Sequence, residues 1–229
     1  MKDIRQKQAP SQEKKVPASK SRPSYIDEQS YDLPMDDSLL PSLKIIQSIS
    51  PERIKGSEVY VEGAVEGMLM HSTSLELFDG DTGVIIVPLA VRKYWVEWKS
   101  RDSGGGFVAS YSTKEDMDKG FTPGNEVQVT IEYMVMMEAT KQMVTVRFNS
   151  ATKYAIARKW ATMIEQAKTL FGKKYRLKTV MKKNKNNQIY FNYDIEPVDW
   201  VDETTYKIVK ELAASAQLPA IEQADDNEL

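Results

Sequence analysis

The sequence contains no cysteine and one histidine, and these shortages exclude several classes of chemistry. Without cysteine the chain cannot form disulfide bonds, thiolate zinc sites, iron–sulfur clusters or a cysteine nucleophile. A serine–histidine–aspartate triad would need His71 as its base. No apolar run approaches the roughly 18 residues of a membrane span, and no apolar signal region follows the N-terminus. We therefore expect a soluble intracellular protein that is not an enzyme and holds no metal or cofactor.

Charge is nearly balanced overall but strongly segregated along the chain. The 229 residues carry 31 Lys and Arg against 33 Asp and Glu, a formal net charge of -2. Residues 1–30 sum to +3, residues 31–149 to -7, residues 150–198 to +8, and residues 199–229 to -6. The overall balance excludes a uniformly basic nucleic-acid coat, whereas the +8 block indicates a local cationic surface.

The two ends of the chain have the composition of disordered segments. Residues 1–36 are rich in Lys, Gln, Ser and Pro and have few large apolar groups, so burial cannot offset their ordering entropy. They are predicted to form a basic N-terminal arm. Residues 37–200 are predicted to form the folded domain, residues 201–217 a C-terminal helix, and residues 218–229 an acidic disordered tail.

Hydrophobic periodicity predicts short strands around a single long helix. Apolar residues alternate from Glu126 to Met137 and from Gln142 to Phe148, as expected for a hairpin. A 3.6-residue stripe predicts a helix from Ser150 to Phe171, with Ser150 as N-cap and Gly172 just after its C-terminus. The other predicted elements are strands at 58–61, 68–70, Val84–Val87, Val91–Lys99 and Phe107–Tyr111, a helical turn at 113–120, strands Lys174–Lys182 and Gln188–Ile195, and a helix at Thr204–Ser215.

Antiparallel hairpins dominate this pattern, and no βαβ alternation is present. The predicted fold class is therefore mainly β. The architecture that fits best is an OB-fold-like Greek-key barrel with an inserted amphipathic helix. A β-sandwich with helical decorations is the alternative.

The hairpin after the long helix combines cations with aromatic residues. Period-2 alternation puts Arg176, Lys178 and Lys182 on one face, and it puts Tyr190 on the face opposite Phe191. Cations that neutralise phosphates, together with aromatic stacking platforms, are what single-stranded nucleic acid requires. The alternative is a solvated basic face above core tyrosines. The predicted nucleic-acid contacts here are Lys174, Arg176, Lys178, Lys182, Lys183, Lys185 and Tyr190.

A second aromatic surface is predicted before and after the Gly104–Gly106 loop. Strand alternation cannot put Trp95 and Trp98 on the same face, so Trp98 or Tyr94 is expected to be exposed. The alternative is that both tryptophans belong to the core. The predicted contacts of this second surface are Tyr94, Trp98, Arg101 and Phe107.

The acidic tail is predicted to compete with nucleic acid for the cationic surface and to recruit partner proteins. Its candidate residues are Glu222, Asp225, Asp226 and Glu228. The alternative is a tail that serves only solubility.

A nuclease is a further alternative. The segment Val96-Glu97-Trp98-Lys99 matches the apolar-Glu-x-Lys part of the PD-(D/E)xK pattern, with Asp79 or Asp81 as the upstream metal ligand. This is a weak signal, because Glu-x-Lys arises by chance on surface strands.

Three segments resemble a family of tailed-bacteriophage proteins described as single-stranded DNA-binding replication proteins. They are Pro41–Gln47, Tyr60–Ala64, and the run from Trp95–Trp98 through Gly104–Val108, and the resemblance spans about residues 40–200. It implies a protein that acts in the host cytoplasm during phage DNA replication or recombination. Its partners would then be single-stranded DNA and replication or recombination proteins, and it would not bind a membrane. Assembly into a homo-oligomer is compatible with this role. A phage virion or assembly protein is the alternative from another class.

Overall fold

A computed structural model describes residues 40–215 of the chain. Within this range the protein is mainly β, with two antiparallel sheets and three α-helices. The strands are β1 (Leu43–Ile45), β2 (Leu69–His71), β3 (Leu77–Phe78), β4 (Val84–Trp98), β5 (Phe107–Tyr111), β6 (Glu126–Met137), β7 (Met143–Phe148), β8 (Lys173–Lys183) and β9 (Ile189–Trp200). The helices are α1 (Lys114–Gly120), α2 (Ala151–Ala167) and α3 (Glu203–Ser215).

The larger sheet has the strand order of an OB fold. Its order is β7-β6-β4-β8-β9, and β5 pairs with the C-terminal part of β4. Numbering β4, β6, β7, β8 and β9 as barrel strands one to five gives the order 3-2-1-4-5. Helix α2 lies between strands three and four, which is the helix position of the OB connectivity. The predicted fold class is confirmed.

Strand β1 fills the gap between the two edges of this sheet. Ser42 forms a parallel bridge with Thr145 in β7. On the other side, the hydroxyl of Tyr193 in β9 donates to the Leu43 carbonyl oxygen at 2.9 Å. The Gln47 side chain accepts from the Phe191 amide at 2.9 Å and donates to the Phe191 carbonyl at 2.8 Å. A side-chain amide thus occupies the free edge of β9, where an unpaired backbone would invite aggregation.

Helix α2 supplies the centre of the barrel core. Its Trp160 is fully buried and stacks on Tyr133 with the ring centroids 4.1 Å apart. Trp160 also meets Phe148 and Tyr175 edge-on. Burying one large apolar side chain stabilises a fold by about 1.5–3 kcal/mol, so this cluster fixes α2 against β6, β7 and β8.

Helix α3 packs on the outer face of the barrel rather than inside it. Its Val209 is fully buried in a second cluster with Val87, Leu89, Met134 and Met136. The predicted C-terminal helix is therefore present and covers part of the outer surface of β4 and β6.

Three predictions about element limits are wrong. Pro88 does not end a strand, because a register shift at Pro88/Ala90 lets β4 continue as one strand. Helix α2 stops before Phe171, because Lys168 adopts φ 54° and ends it, so Gly172 does not directly follow its C-terminus. Residues 58–61 form a turn followed by irregular backbone rather than a strand.

The predictions for residues 1–36 and 218–229 lie outside the described residues. Within residues 40–215, no helix is both long and apolar enough to cross a bilayer.

Candidate nucleic-acid interface

The outer face of the β8–β9 hairpin carries the cations that the sequence singled out. Tyr175 and Leu177 point into the core and are fully buried, so the residues that alternate with them, Lys174, Arg176, Lys178 and Lys182, face outward. Arg176 and Lys178 lie opposite Glu196 and Asp194 of β9, and Lys182 lies opposite Tyr190. The predicted alternation of this hairpin is therefore present.

Two of the predicted contact lysines are already neutralised by carboxylates. Lys174 Nζ lies 2.5 Å from Glu138 Oε1, and Lys178 Nζ lies 2.5 Å from Glu196 Oε1. The hydrogen bond to Glu138 raises the pKa of Lys174 above its ordinary value, despite some opposing desolvation. These lysines have little charge left for a phosphate. Lys178 serves mainly to join β8 to β9, and Lys174 joins β8 to the turn between β6 and β7.

The tip of the hairpin, residues 181–190, differs from its middle. It contains three exposed lysines and no acidic residue. The turn is ordered by Asn184, whose Oδ1 accepts from the amides of Asn186 at 2.9 Å and Gln188 at 3.0 Å, while Asn187 has φ 60°. The structure describes no ion pair for these lysines, which are Lys182, Lys183 and Lys185.

Tyr190 is the aromatic residue on the outward face of the tip. It is half-buried and lies opposite Lys182. Its neighbour Phe191 turns the other way and packs over Gly67, where an added Cβ would lie 2.5 Å from the ring. Tyr190 therefore presents part of its ring beside a lysine.

The second predicted surface is less exposed than expected. Tyr94 is buried, with the Arg92 guanidinium carbon 5.2 Å from its ring centroid, so the expectation of an exposed Tyr94 is wrong. Trp98 is half-buried and meets Phe107 edge-on at 6.1 Å. Its indole N–H is buried without a partner among the described residues. The backbone of Arg101 lies in a short 3-10 turn, Arg101–Ser103.

The structure does not bring the two predicted surfaces together. Strand β8 pairs with Val84–Ile86 at the start of β4, whereas Trp98 ends that strand. At roughly 3.3 Å per residue, the 14 steps from Val84 to Trp98 span about 45 Å of strand. In OB folds the 1–2 and 4–5 loops flank the ligand surface, and here they correspond to residues 99–125 and to the hairpin tip.

Two partly exposed tryptophans were not among the predicted contact residues. Trp95 is half-buried on the face opposite Tyr94, with Lys93 Nζ 4.9 Å from its ring centroid. Trp200 is 56% exposed, and Lys173 Nζ lies 5.2 Å from its ring centroid. The predicted strand stopped at Ile195, so alternation could not be applied to Trp200. Extending the predicted strand to Trp200 would have assigned that side chain to one face of β9.

The structure does not bring together the residues of the nuclease alternative. Glu97 is fully buried and accepts from Tyr111 Oη at 2.6 Å, the Thr122 amide at 3.0 Å and Asn125 Nδ2 at 2.5 Å. Burial acts to raise the pKa of Glu97, but these hydrogen bonds outweigh it and lower the pKa. Asp79 lies in the turn before β4, where its Oδ1 accepts from the Thr82 amide. Asp79 and Asp81 both precede β4 and therefore lie at the opposite end of that strand from Glu97, which holds the loop after α1.

Comparison with known families decides the origin of the chain. The family model of the Pam3 phage gp34-like proteins matches residues 11–221. The chain belongs to this family. It is a bacteriophage protein, as the sequence resemblance implied. No curated protein and no solved structure matches the chain.

The gp34-like match includes the whole barrel and both predicted surfaces. The acidic residues Glu222, Asp225, Asp226 and Glu228 follow the matched range and lie outside the described residues.

Proposed function

We propose that this gp34-like protein binds single-stranded DNA through the outer face and the tip of the β8–β9 hairpin. One observation carries the proposal: the tip of the 4–5 hairpin of an OB-like barrel presents three exposed lysines with no acidic residue among them. Lys182, Lys183 and Lys185 contact phosphates, and the Tyr190 ring stacks on a base.

The energetics of DNA binding supports phosphate contacts by the lysines and base stacking by Tyr190. Each phosphate that a lysine neutralises releases condensed counterions, which gives affinity without sequence preference. Base stacking on an aromatic ring contributes about 1–3 kcal/mol and requires an unpaired base, so it favours single strands over duplex. Arg176 extends the same face toward the middle of the hairpin, beside Glu196.

In this proposal the protein has no enzymatic activity. It coats transient single strands in the host cytoplasm during phage replication or recombination. Partner proteins would then take over the coated strand.

Fluorescence anisotropy with a labelled oligothymidylate and a duplex of the same length tests this proposal. Titrations at several salt concentrations should show tighter binding to the single strand. The affinity for the single strand should fall as salt rises, with a slope of log affinity against log salt concentration of about -0.7 per phosphate contact. Equal affinity for both nucleic acids, or a flat salt response, would refute single-strand binding.

An assembly role in the virion is the second candidate function. The exposed apolar residues Met181, Ile189 and Trp200 favour it, because large exposed apolar side chains mark protein interfaces. Localisation decides between the two: an assembly protein would be found in purified virions, and a replication protein would be absent from them.

A further inference from the structure

The two ends of the β8–β9 hairpin carry exposed apolar side chains in surroundings of opposite charge. The tip patch consists of Met181, Lys183, Lys185 and Ile189. The base patch consists of Val198, Trp200 and Tyr206, with the acidic residues Asp199, Asp202 and Glu203.

The apolar side chains of the tip patch lie on the face away from Lys182 and Tyr190, whereas its two lysines are also proposed phosphate contacts. Met181 is 60% exposed, and Ile189 is also exposed. Lys183 lies opposite Ile189, so period-2 alternation puts these three side chains on the face away from Lys182 and Tyr190. Lys182 and Tyr190 can therefore contact DNA while Met181 and Ile189 contact a neighbouring copy, and Lys183 and Lys185 are shared by the two surfaces.

The base patch is apolar and acidic. The segment 197–206 contains three acidic residues and no basic one, and Val198, Trp200 and Tyr206 are all exposed. Three lysines border it. Lys173 lies over the Trp200 ring, and Lys207 Nζ lies 2.8 Å from a Glu203 oxygen. The third, Lys174, interacts with Asp199 and Asp202 but is itself paired with Glu138, so four carboxylates against three ammonium groups leave the patch net negative.

The two patches cannot meet within one molecule. Lys173 pairs with Trp200 at one end of β8, and Lys183 pairs with Ile189 at the other. Ten residue steps separate them, which is about 33 Å along a strand. The complementary charge and shared apolar character of the two patches can therefore be satisfied only between copies.

We propose that the protein self-associates head to tail, with the tip patch of one copy seated on the base patch of the next. Such a contact is heterologous, so it builds rings or filaments rather than a closed two-fold dimer. Both patches are small, and the association is expected to be weak and concentration-dependent. If the protein also coats single strands as proposed above, neighbouring copies on one strand gain effective concentration and bind cooperatively.

Sedimentation velocity of the full chain without DNA tests this proposal. The average mass of the wild-type protein should rise above the 26.0 kDa of one chain as its concentration increases. Trp200→Ala should lower that rise, because it removes the largest exposed side chain of the base patch. Lys141→Glu with Lys168→Glu is the matched control, since both lysines are exposed and lie elsewhere.

A charge exchange makes the test specific. Lys183→Glu with Lys185→Glu reverses the tip, and Asp199→Lys with Glu203→Lys reverses the base. Each double variant alone should remain monomeric. Their mixture should regain the concentration-dependent rise in mass of the wild type, because the reversed tip is complementary to the reversed base and the unchanged tip to the unchanged base. Thermal unfolding of each variant checks that the fold is kept.

Two results would overturn head-to-tail association. One is a wild-type protein that stays monomeric at every concentration. The other is a rise in mass that Trp200→Ala and both charge reversals leave unchanged. Self-association without any DNA binding would refute the proposed function while leaving this inference standing.

Discussion

The middle and the tip of the β8–β9 hairpin carry similar numbers of cations but differ in what surrounds them. In the middle, Lys174 and Lys178 form short ion pairs with Glu138 and Glu196. At the tip, residues 181–190 contain three lysines and no carboxylate. The comparison shows that a basic run in the sequence overstates the charge available to a ligand, because neighbouring strands supply carboxylates that a local count does not register.

Removing the tip lysines should have the largest effect on binding. Lys182→Gln, Lys183→Gln and Lys185→Gln together should weaken oligothymidylate binding roughly a hundredfold at about 0.05 M salt, since three phosphate contacts are lost. Anisotropy titration measures this change. The control is Lys141→Gln, Lys168→Gln and Lys210→Gln, which removes the same charge from exposed sites elsewhere. An equal loss in both triple variants would mean that only net charge matters.

Tyr190→Ala should weaken binding roughly tenfold, because a stacking platform contributes about 1–3 kcal/mol per base. The salt slope should stay nearly unchanged, since stacking is not ionic. Tyr190→Phe keeps the ring and should bind like the wild type. A changed salt slope in Tyr190→Ala would show that the ring only positions Lys182.

Glu196→Gln should make a lysine in the middle of the hairpin available to DNA, as the tip lysines are. The change releases Lys178 from its ion pair. Oligothymidylate affinity should rise about threefold and the salt slope should steepen by about 0.7, the value for one added phosphate contact. Unchanged affinity would show that the strand does not reach the middle of the hairpin. The same titration on Glu165→Gln, an exposed carboxylate on α2 outside this face, is the control.

Lys174→Gln should leave binding unchanged and lower the free energy of unfolding by about 0.5–1 kcal/mol, the range for a partly exposed ion pair. The pKa of Lys174 is raised in the folded state, so this stabilisation is present at neutral pH. It is lost as the pH rises through that raised pKa, above the ordinary 10.5. Urea unfolding at pH 7 and at pH 11 should therefore show a difference between wild type and variant that shrinks at the higher pH.

Strong local patterns made most of the fold predictable. The alternation of Glu126–Met137 and the Ser150 N-cap both have their predicted structure, because each depends on neighbouring residues. The continuity of β4 through Pro88 depends instead on a register shift against β6, which no local pattern reveals. The same holds for the end of α2, where Lys168 takes a left-handed conformation without a glycine.

The candidate site was predictable only in part, for the same reason. Alternation correctly placed Arg176, Lys178 and Lys182 on one face. It could not show that Glu138, 36 residues away, neutralises Lys174. Nor could it show that Tyr94 is buried, since burial depends on what packs over a strand.

The salt dependence of oligothymidylate binding tests the contrast between tip and middle most directly. It should be measured in parallel for the wild type, the tip triple variant Lys182→Gln, Lys183→Gln and Lys185→Gln, and the middle double variant Lys174→Gln and Lys178→Gln. The tip variant should lose about 2 units of log–log slope, three contacts at about 0.7 each, while the middle variant keeps the wild-type slope. Equal slopes for wild type and tip variant, or a larger loss in the middle variant, would contradict phosphate binding at the tip.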